Sequence, residues 1–476
     1  MDGAQRQIIK SLLSSHDQRS AKQSKKYGKS LRKAISRDTF AAWQPPMGRP
    51  AANDLLFGQD KAYSKALVSV RHDRMAESAF SFFRGSALVM ASDLSSLPTS
   101  GIEVQTCGNA HVLNFGVFRT DCGRMVFDIR DYDETCRGPW EWDVARLAAS
   151  IEILGRDRGF EEEQRSKAVL LAVRAYREAM REFASMGNTS MWHAHIDAQK
   201  IAKGIAPKDA ANKQGHSMKG RKAKAKARSQ GLRRMYTHAE GKRLEAVNEP
   251  PYVVPLRDLM EDKAVAKSED MNMAKVVSQV LRKYRSTVSL DQARLLDMYS
   301  GVDIARKVVG VGGVGLRAWL VVLQGTSATD SLVLQVREAT DSVMERFVGK
   351  APQKNHGQRV AEGQRAMQAA DDLLLGWTRI KQPSGGTRDY YVRQLWDRQV
   401  PIDQESIRPK ELARLARACG WTLAHAHART GDRFAIASYL GGTDVFDQAV
   451  LSFAQLYAWQ NQRDYEMFLG ALGGVV

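Results

Sequence analysis

The chain is short of cysteine, short of acid and short of long apolar runs. Its four cysteines, Cys107, Cys122, Cys136 and Cys419, form neither a CxxC pair nor a zinc-like spacing, which argues against a disulfide framework and a zinc ribbon. No apolar stretch approaches the ~20 residues needed to cross a bilayer. The opening segment MDGAQRQIIKSLLSSHDQRSAKQSKKYGKS has no hydrophobic core of the signal-peptide kind. A cytoplasmic, reducing setting without a membrane span is therefore expected. Acids number 53 against 71 Lys and Arg, a net charge of +18, and such an excess attracts nucleic acid, anionic lipid or a phosphorylated ligand.

What is present is ordinary globular material, with 43% hydrophobic residues in 476, enough for two or three domain-sized units. The basic excess gathers in the arm from Arg19 to Arg37 and in the tract KQGHSMKGRKAKAKARSQGLRR, Lys213 to Arg234. That tract has no interleaved aromatics, so it would contact phosphates rather than stack on bases, or simply form a solvated loop.

Residues 1–55 read as a basic, weakly ordered arm closed by WQPPMGRP. Residues 56–300 read as a helical lobe carrying a hairpin, with a basic insertion near 205–240. The pattern from Ala62 to Leu94 is helical, as are Val144–Leu154, Glu161–Ala184 and Ala264–Tyr284. Residues 301–400 read as a small β-rich lobe: strand, glycine turn, strand, a third strand running into a helix, then the strand DYYVRQLW. Helices over Pro409–Ala428 and Val445–Leu469 close the chain in residues 401–476. The fold class is α+β.

The densest chemistry lies between Cys107 and Ser150. Asn109, His111 and Asn114 precede the hairpin, and Asp128, Asp131 and Asp133 follow its second strand. Short oxygen-bearing side chains at that density suit a hard cation and phosphates; the plainer reading is a network of Asx turns. Val309-Gly310-Val311-Gly312-Gly313-Val314-Gly315 lies between strands, so it does not suit a dinucleotide fingerprint, which needs a helix next. A glycine turn between antiparallel strands is how protein kinases cover ATP phosphates. Arg337, ending the third strand, would then be the phosphate-facing cation and Glu345 its partner. Arg84 beside Gly85 is an anion-contact candidate. His425 and His427 flank Ala426 on a helix and point to different faces, so they read as core or surface residues rather than chelators. Arg463 and Asp464 read as a surface ion pair.

CGNAHVLN resembles the catalytic loop of kinase-related phosphotransferases, including the aminoglycoside and choline types, and VFDIRDYDE resembles the strand and metal-binding acid that follow. On that likeness Asn109 stands at the catalytic base, Asn114 and Asp131 at the Mg²⁺ ligands, with Asp128 and Asp133 as alternatives, and Asp143 as support for the loop. MAESAFSFFRGSA, CGNAHVLNFGVF, VFDIRDYDETCRGPWEWDVARLAAS, VVGVGGVGLRAWLVVLQG, LQVREATDSV and LAHAHARTGD together resemble the bacterial domain of unknown function family 2252 from Ala62 onward. The resemblance implies kinase-like ancestry, and also that Asp and Lys are usual where this chain has Asn109 and Arg337. An amide accepts no proton from a substrate hydroxyl, and a guanidinium fork is not an ammonium. The motifs follow kinase order cyclically, with the break moved to just before the catalytic loop. The expectation is a circularly permuted, two-lobed, protein-kinase-like fold, helical lobe first, binding ATP or another nucleotide with Mg²⁺ and possessing degenerate phosphotransfer to a small-molecule or protein acceptor. A basic nucleic-acid-associated binding protein, using Lys213–Arg234, is the alternative; a metal-dependent hydrolase using Asp128, Asp131, Asp133 and His111 is third.

Overall fold

The computed structural model describes residues 19–120, 124–197, 236–238, 244–250, 252–261, 273–308, 315–327, 330–370, 372–381, 386–395 and 405–473. The tract Lys213–Arg234, Cys122 and the turn residues Gly310, Gly312 and Gly313 lie outside them.

The first helix, α1 (Ala21–Ala34), starts at a reciprocal cap between Ser20 and Gln23, which satisfies two otherwise orphaned amides. The segment expected to be weakly ordered is thus helical over these residues. Its fixing points are Arg32, which donates to the carbonyls of Ser438 and Tyr439, and Arg37, which donates to that of Leu440. Both arginines satisfy the open end of a later helix.

Short helices α2 (Ala52–Asp60), α3 (Lys65–Ala76), α4 (Ala79–Gly85) and α5 (Ala87–Leu94) lead into β1 (Glu103–Thr106). The hairpin β2 (Phe115–Arg119) and β3 (Met125–Ile129) pairs Phe115 with Ile129, while β1 pairs instead with β4 (Cys136–Pro139). Helix α6 (Trp140–Asp157) is buried almost all round. The charges it carries inward have partners, as Glu152 does in Arg156 at 2.8 Å and Arg165 at 2.9 Å. Next come α7 (Glu162–Phe183), α8 (Asn188–Trp192) and the short strands β5 (Ile196–Asp197), β6 (Tyr236–His238), β7 (Leu244–Ala246) and β8 (Val253–Pro255).

After α9 (Leu256–Glu261), α10 (Met273–Tyr284) and α11 (Leu290–Leu296) the chain builds the larger sheet from β9 (Ser300–Lys307), β10 (Ala318–Gln324) and β11 (Ser331–Ala339). It continues with α12 (Glu345–Val348), α13 (His356–Met367), β12 (Gly376–Lys381) and β13 (Thr387–Gln394). The order is β12-β13-β11-β10-β9-β8, antiparallel throughout. Two boundaries differ from expectation. The sheet recruits β8, and α10 packs on it, so the sheet and its cover take in segments before residue 301. The helix expected straight after the third strand is only the single turn α12.

Alternation along β11 divides the sheet's faces. Leu332, Leu334 and Val336 join Trp319, Val321, Tyr390 and Val392 against Val276, Val277, Val280 and Tyr284, largely from α10. The opposite face carries Gln335, Arg337, Tyr391 and Arg393, and this polar face meets the helical body. That body is closed by α14 (Pro409–Thr430), α15 (Arg433–Leu440) and α16 (Val445–Gly473). Trp140 on α6 stacks on Tyr176 of α7 with ring centres 5.5 Å apart and belongs to one core with Leu412, Leu423 and Phe453. The tail pair expected at the surface is not one: Asp464 is buried and binds Arg49 at 2.7 Å, with Asp93 on the guanidinium's other edge at 2.6 Å.

Candidate functional site

The loop between β1 and β2 is anchored from beneath. The Asp143 carboxylate, in the first turn of α6, accepts from the Cys107 amide at 2.6 Å and the Gly108 amide at 3.0 Å. It also meets His427 Nε2 at 3.2 Å, and His427 Nδ1 is in turn 2.9 Å from the Tyr176 hydroxyl. His427 is thus a buried core residue with an anchoring contact. Gly108 is required here: its φ is +75°, and a Cβ would lie 2.1 Å from the Glu134 carbonyl oxygen.

Above this anchor the loop's polar residues face different duties. Asn109 Oδ1 accepts from Arg146 Nε at 2.7 Å, and its Nδ2 donates to the Arg84 carbonyl at 3.3 Å. His111 is buried edge-on against Phe80, with Nδ1 making no hydrogen bond among the described residues. Burial first, then Arg84, Arg146 and Arg130, holds its pKa well below the ordinary imidazole value. Asn114 pins the following acid: its Oδ1 accepts from the Asp131 amide at 2.9 Å, and its Nδ2 donates to the Asp131 carbonyl at 3.0 Å.

The sheet arrives from the other side. Arg337 Nη1 reaches the two oxygens of Asp131 at 3.2 and 3.3 Å across 206 residues of chain. The same guanidinium pairs with Asp133, which also accepts from the Tyr391 hydroxyl at 2.7 Å. Burial works against the Asp131 charge, yet Arg337 and Arg393 hold its pKa below the ordinary carboxylate value. Asp133 goes the other way: burial and the neighbouring Asp131 outweigh Arg337 and push it up to about 6. Two acids sharing one cation are driven apart in this way.

Two expected site residues, Asp128 and Glu345, stand elsewhere. Asp128 gives its carboxylate to the amides of Ile129, Ala369 and Ala370 at 2.9, 2.7 and 3.1 Å, so it ties β3 to the segment after α13. Glu345 does not pair with Arg337; it accepts from the amides of Ser342 and Ala351 and sits 3.4 Å from Arg359. The Arg84 side chain is largely enclosed, with its Nε lacking a hydrogen bond among the described residues. Burial and then Arg130 push its pKa down to about 10. Of the glycine turn, Gly315 is described: at φ +116° its Cα lies against Tyr63, where a Cβ would be 2.6 Å from the ring, and its carbonyl accepts from the Ser64 amide at 3.0 Å. Tyr391, Arg393 and Arg146 escape sequence reasoning as site residues. Only the alternation QVREA and YYVRQ hints that Gln335, Arg337, Tyr391 and Arg393 share a face.

The molecule is thus a mixed helix-and-sheet protein in which an acid-rich loop on a helical body meets an arginine on an antiparallel sheet. Its chain belongs to the family described as "Uncharacterized protein conserved in bacteria (DUF2252)", whose model matches residues 64–471. Nothing among the curated proteins matches it, and nothing among the solved structures does. No helix among the described residues is long and apolar enough to cross a membrane.

Proposed function

We propose that this protein is a kinase-like, nucleotide- and Mg²⁺-binding member of its family, circularly permuted, with its ligand seated between the helical body and the six-stranded sheet. The observation that carries the reading is the meeting of Arg337 with Asp131, itself pinned by Asn114. A kinase site needs a strand-borne cation opposite a metal-binding acid. The donor set fits a hard cation. The Asp131 side chain is 39% exposed, its contacts to Arg337 are long for charge-assisted bonds, and the Asn114 oxygen keeps a second lone pair. Asp131 and Asn114 would hold Mg²⁺, which would neutralise phosphate oxygens when bound.

At the base position this chain departs from phosphotransfer. Asn109 is committed to Arg146 and to a backbone carbonyl, so an arriving hydroxyl meets no carboxylate there. The reading is therefore binding with weak or absent transfer. A thermal-shift series with ATP, ADP and GTP, with and without Mg²⁺, tests it: a ligand that binds only the folded state raises the melting temperature. No shift with any nucleotide would sink the proposal.

One observation favours a second reading. Lys22, Lys25, Lys26, Lys29 and Lys33 are all exposed on α1, which carries no acid. Such a row suits the phosphate backbone of a nucleic acid. Retention on DNA or RNA that falls steeply with salt, and falls away when these lysines become glutamines, would favour it.

A further inference from the structure

The sheet's polar face holds a second cation that the acid pair does not use. Arg337 pairs across the ladder with Ala318 on β10; Ala305 of β9 pairs with Leu320, which is on the Ala318 face of β10, and Lys307, two residues beyond Ala305 in the same strand, pairs with Val253 of β8. Directly paired residues share a face, so Lys307 and Arg337 point the same way roughly 10 Å apart, two strand spacings. Arg393 lies on this face too. Its Nε donates to Gln335 Oε1 at 3.0 Å, and its Nη1 donates to the Arg130 carbonyl at 3.0 Å, which brings Arg130 up from the helical side.

Lys307 has no ion pair or hydrogen bond from its side chain among the described residues, although it is largely enclosed. What surrounds it is cationic: burial first, then Arg393, Arg130 and Arg337, pushes its pKa down to about 8. Arg337 is already matched by Asp131 and Asp133, and Glu134 is spent on the Val343 amide at 2.7 Å. Like charges gathered in a partly dry place destabilise the fold unless an anion joins them.

We propose that Lys307, with Arg130 and Arg393, is the phosphate-binding shelf of this cleft, and that the phosphate chain of a nucleotide or of inorganic polyphosphate lies along it. This rests on the nucleotide reading of the same cleft and deepens it. Arg337 becomes the residue that sets the two acids in place, and Lys307, just before the glycine turn, takes the phosphate contact. An ammonium suits that duty because it is a compact charge on a flexible stem.

The test is calorimetric titration of the full chain with inorganic tripolyphosphate and with Mg·ATP, on wild type, Lys307→Met and Lys307→Arg. Wild type should bind both, and Lys307→Met should weaken each by about 10- to 100-fold, the loss of one charge-assisted contact. Lys307→Arg should recover much of that loss. The ligand-free Lys307→Met protein should melt at or above the wild-type temperature, because a repelled charge has gone. Should it instead melt low and bind nothing, Lys307→Arg decides: recovered binding supports the shelf, and no recovery overturns it. Equal Mg·ATP binding by wild type and Lys307→Met would overturn the shelf while leaving the nucleotide reading intact. Lys307-dependent tripolyphosphate binding with no gain from the nucleoside would uphold the shelf and sink that reading. Wild type that binds neither ligand overturns both.

Discussion

Asp143 and His427 meet at 3.2 Å although 284 residues separate them. The contact joins the start of α6 to the end of α14 directly under the loop that carries Asn109 and Asn114. A single carboxylate there serves two backbone amides and a histidine, all buried.

Removing that carboxylate should therefore cost stability before it costs anything else. Asp143→Ala leaves the Cys107 and Gly108 amides and His427 without their acceptor, and each buried unmet group costs on the order of 1–3 kcal/mol. Urea unfolding should show a loss of about 2–4 kcal/mol. A loss below about 0.5 kcal/mol would mean the loop is held by other means.

Asp131 and Asp128 should separate cleanly. Asp131→Ala should abolish any Mg²⁺-dependent nucleotide shift while changing ligand-free stability little, since its side chain is 39% exposed. Asp128→Ala should leave the Mg²⁺ dependence but lower the melting temperature, because three backbone amides lose their acceptor. The reverse pattern would transfer the metal role to Asp128.

Glu141 offers a pH test. It is buried, with one oxygen accepting from the Ser100 amide at 2.8 Å and the other without a partner among the described residues. Burial, only partly offset by Ser100, pushes its pKa up to about 7. The folded state thus keeps a proton that the unfolded chain releases. Its contribution is present below about pH 4.5 and is lost as pH rises towards 7. Glu141→Gln should remove this slope, so the stability difference between variant and wild type should grow by up to about 3 kcal/mol between pH 4.5 and 7.5. A difference independent of pH would show that Glu141 ionises freely in the fold.

Asn109→Asp addresses catalysis. Arg146 Nε, now donating to the amide oxygen, would hold the new carboxylate. The lost donor to the Arg84 carbonyl is a long contact of 3.3 Å. A restored base is typically worth about 10²–10⁴ in rate, so ATP turnover should rise measurably over wild type. An Asn109→Asp protein that binds Mg·ATP and turns over no faster would identify a binding role.

Much of this architecture is legible in local sequence, because local chemistry dictates it. The alternation in SLVLQVREA sets Leu332, Leu334 and Val336 against Val333, Gln335 and Arg337 before any register is known, and apolar periodicity marks α6 and α7. What local pattern omits is the partner. Arg337 reads as a strand-end cation, but that it meets Asp131 and Asp133 rather than Glu345 depends on how two distant segments dock. Lys307 is invisible as a site residue until the ladders place it on the face that carries Arg337. Asp464 looks like a surface acid next to Arg463 because its partner Arg49 is 415 residues away. The basic segment before residue 38 reads as loose since charge alone does not reveal that Arg32 and Arg37 fasten it to α15.

The helical body is completed only by α14, α15 and α16, which follow the whole sheet in the chain, and this sets the order of events on the ribosome. While β9 to β13 are being made, α6 and α7 have emerged without the helices that bury Trp140, Tyr176 and Phe183. Asp93 likewise waits, with Arg49, for the Asp464 that arrives near the end. The nascent chain must therefore carry a broad apolar surface through most of translation, the condition under which newly made proteins depend most on chaperones. Its final closure, a docking of sequence-distant helices, should be slow.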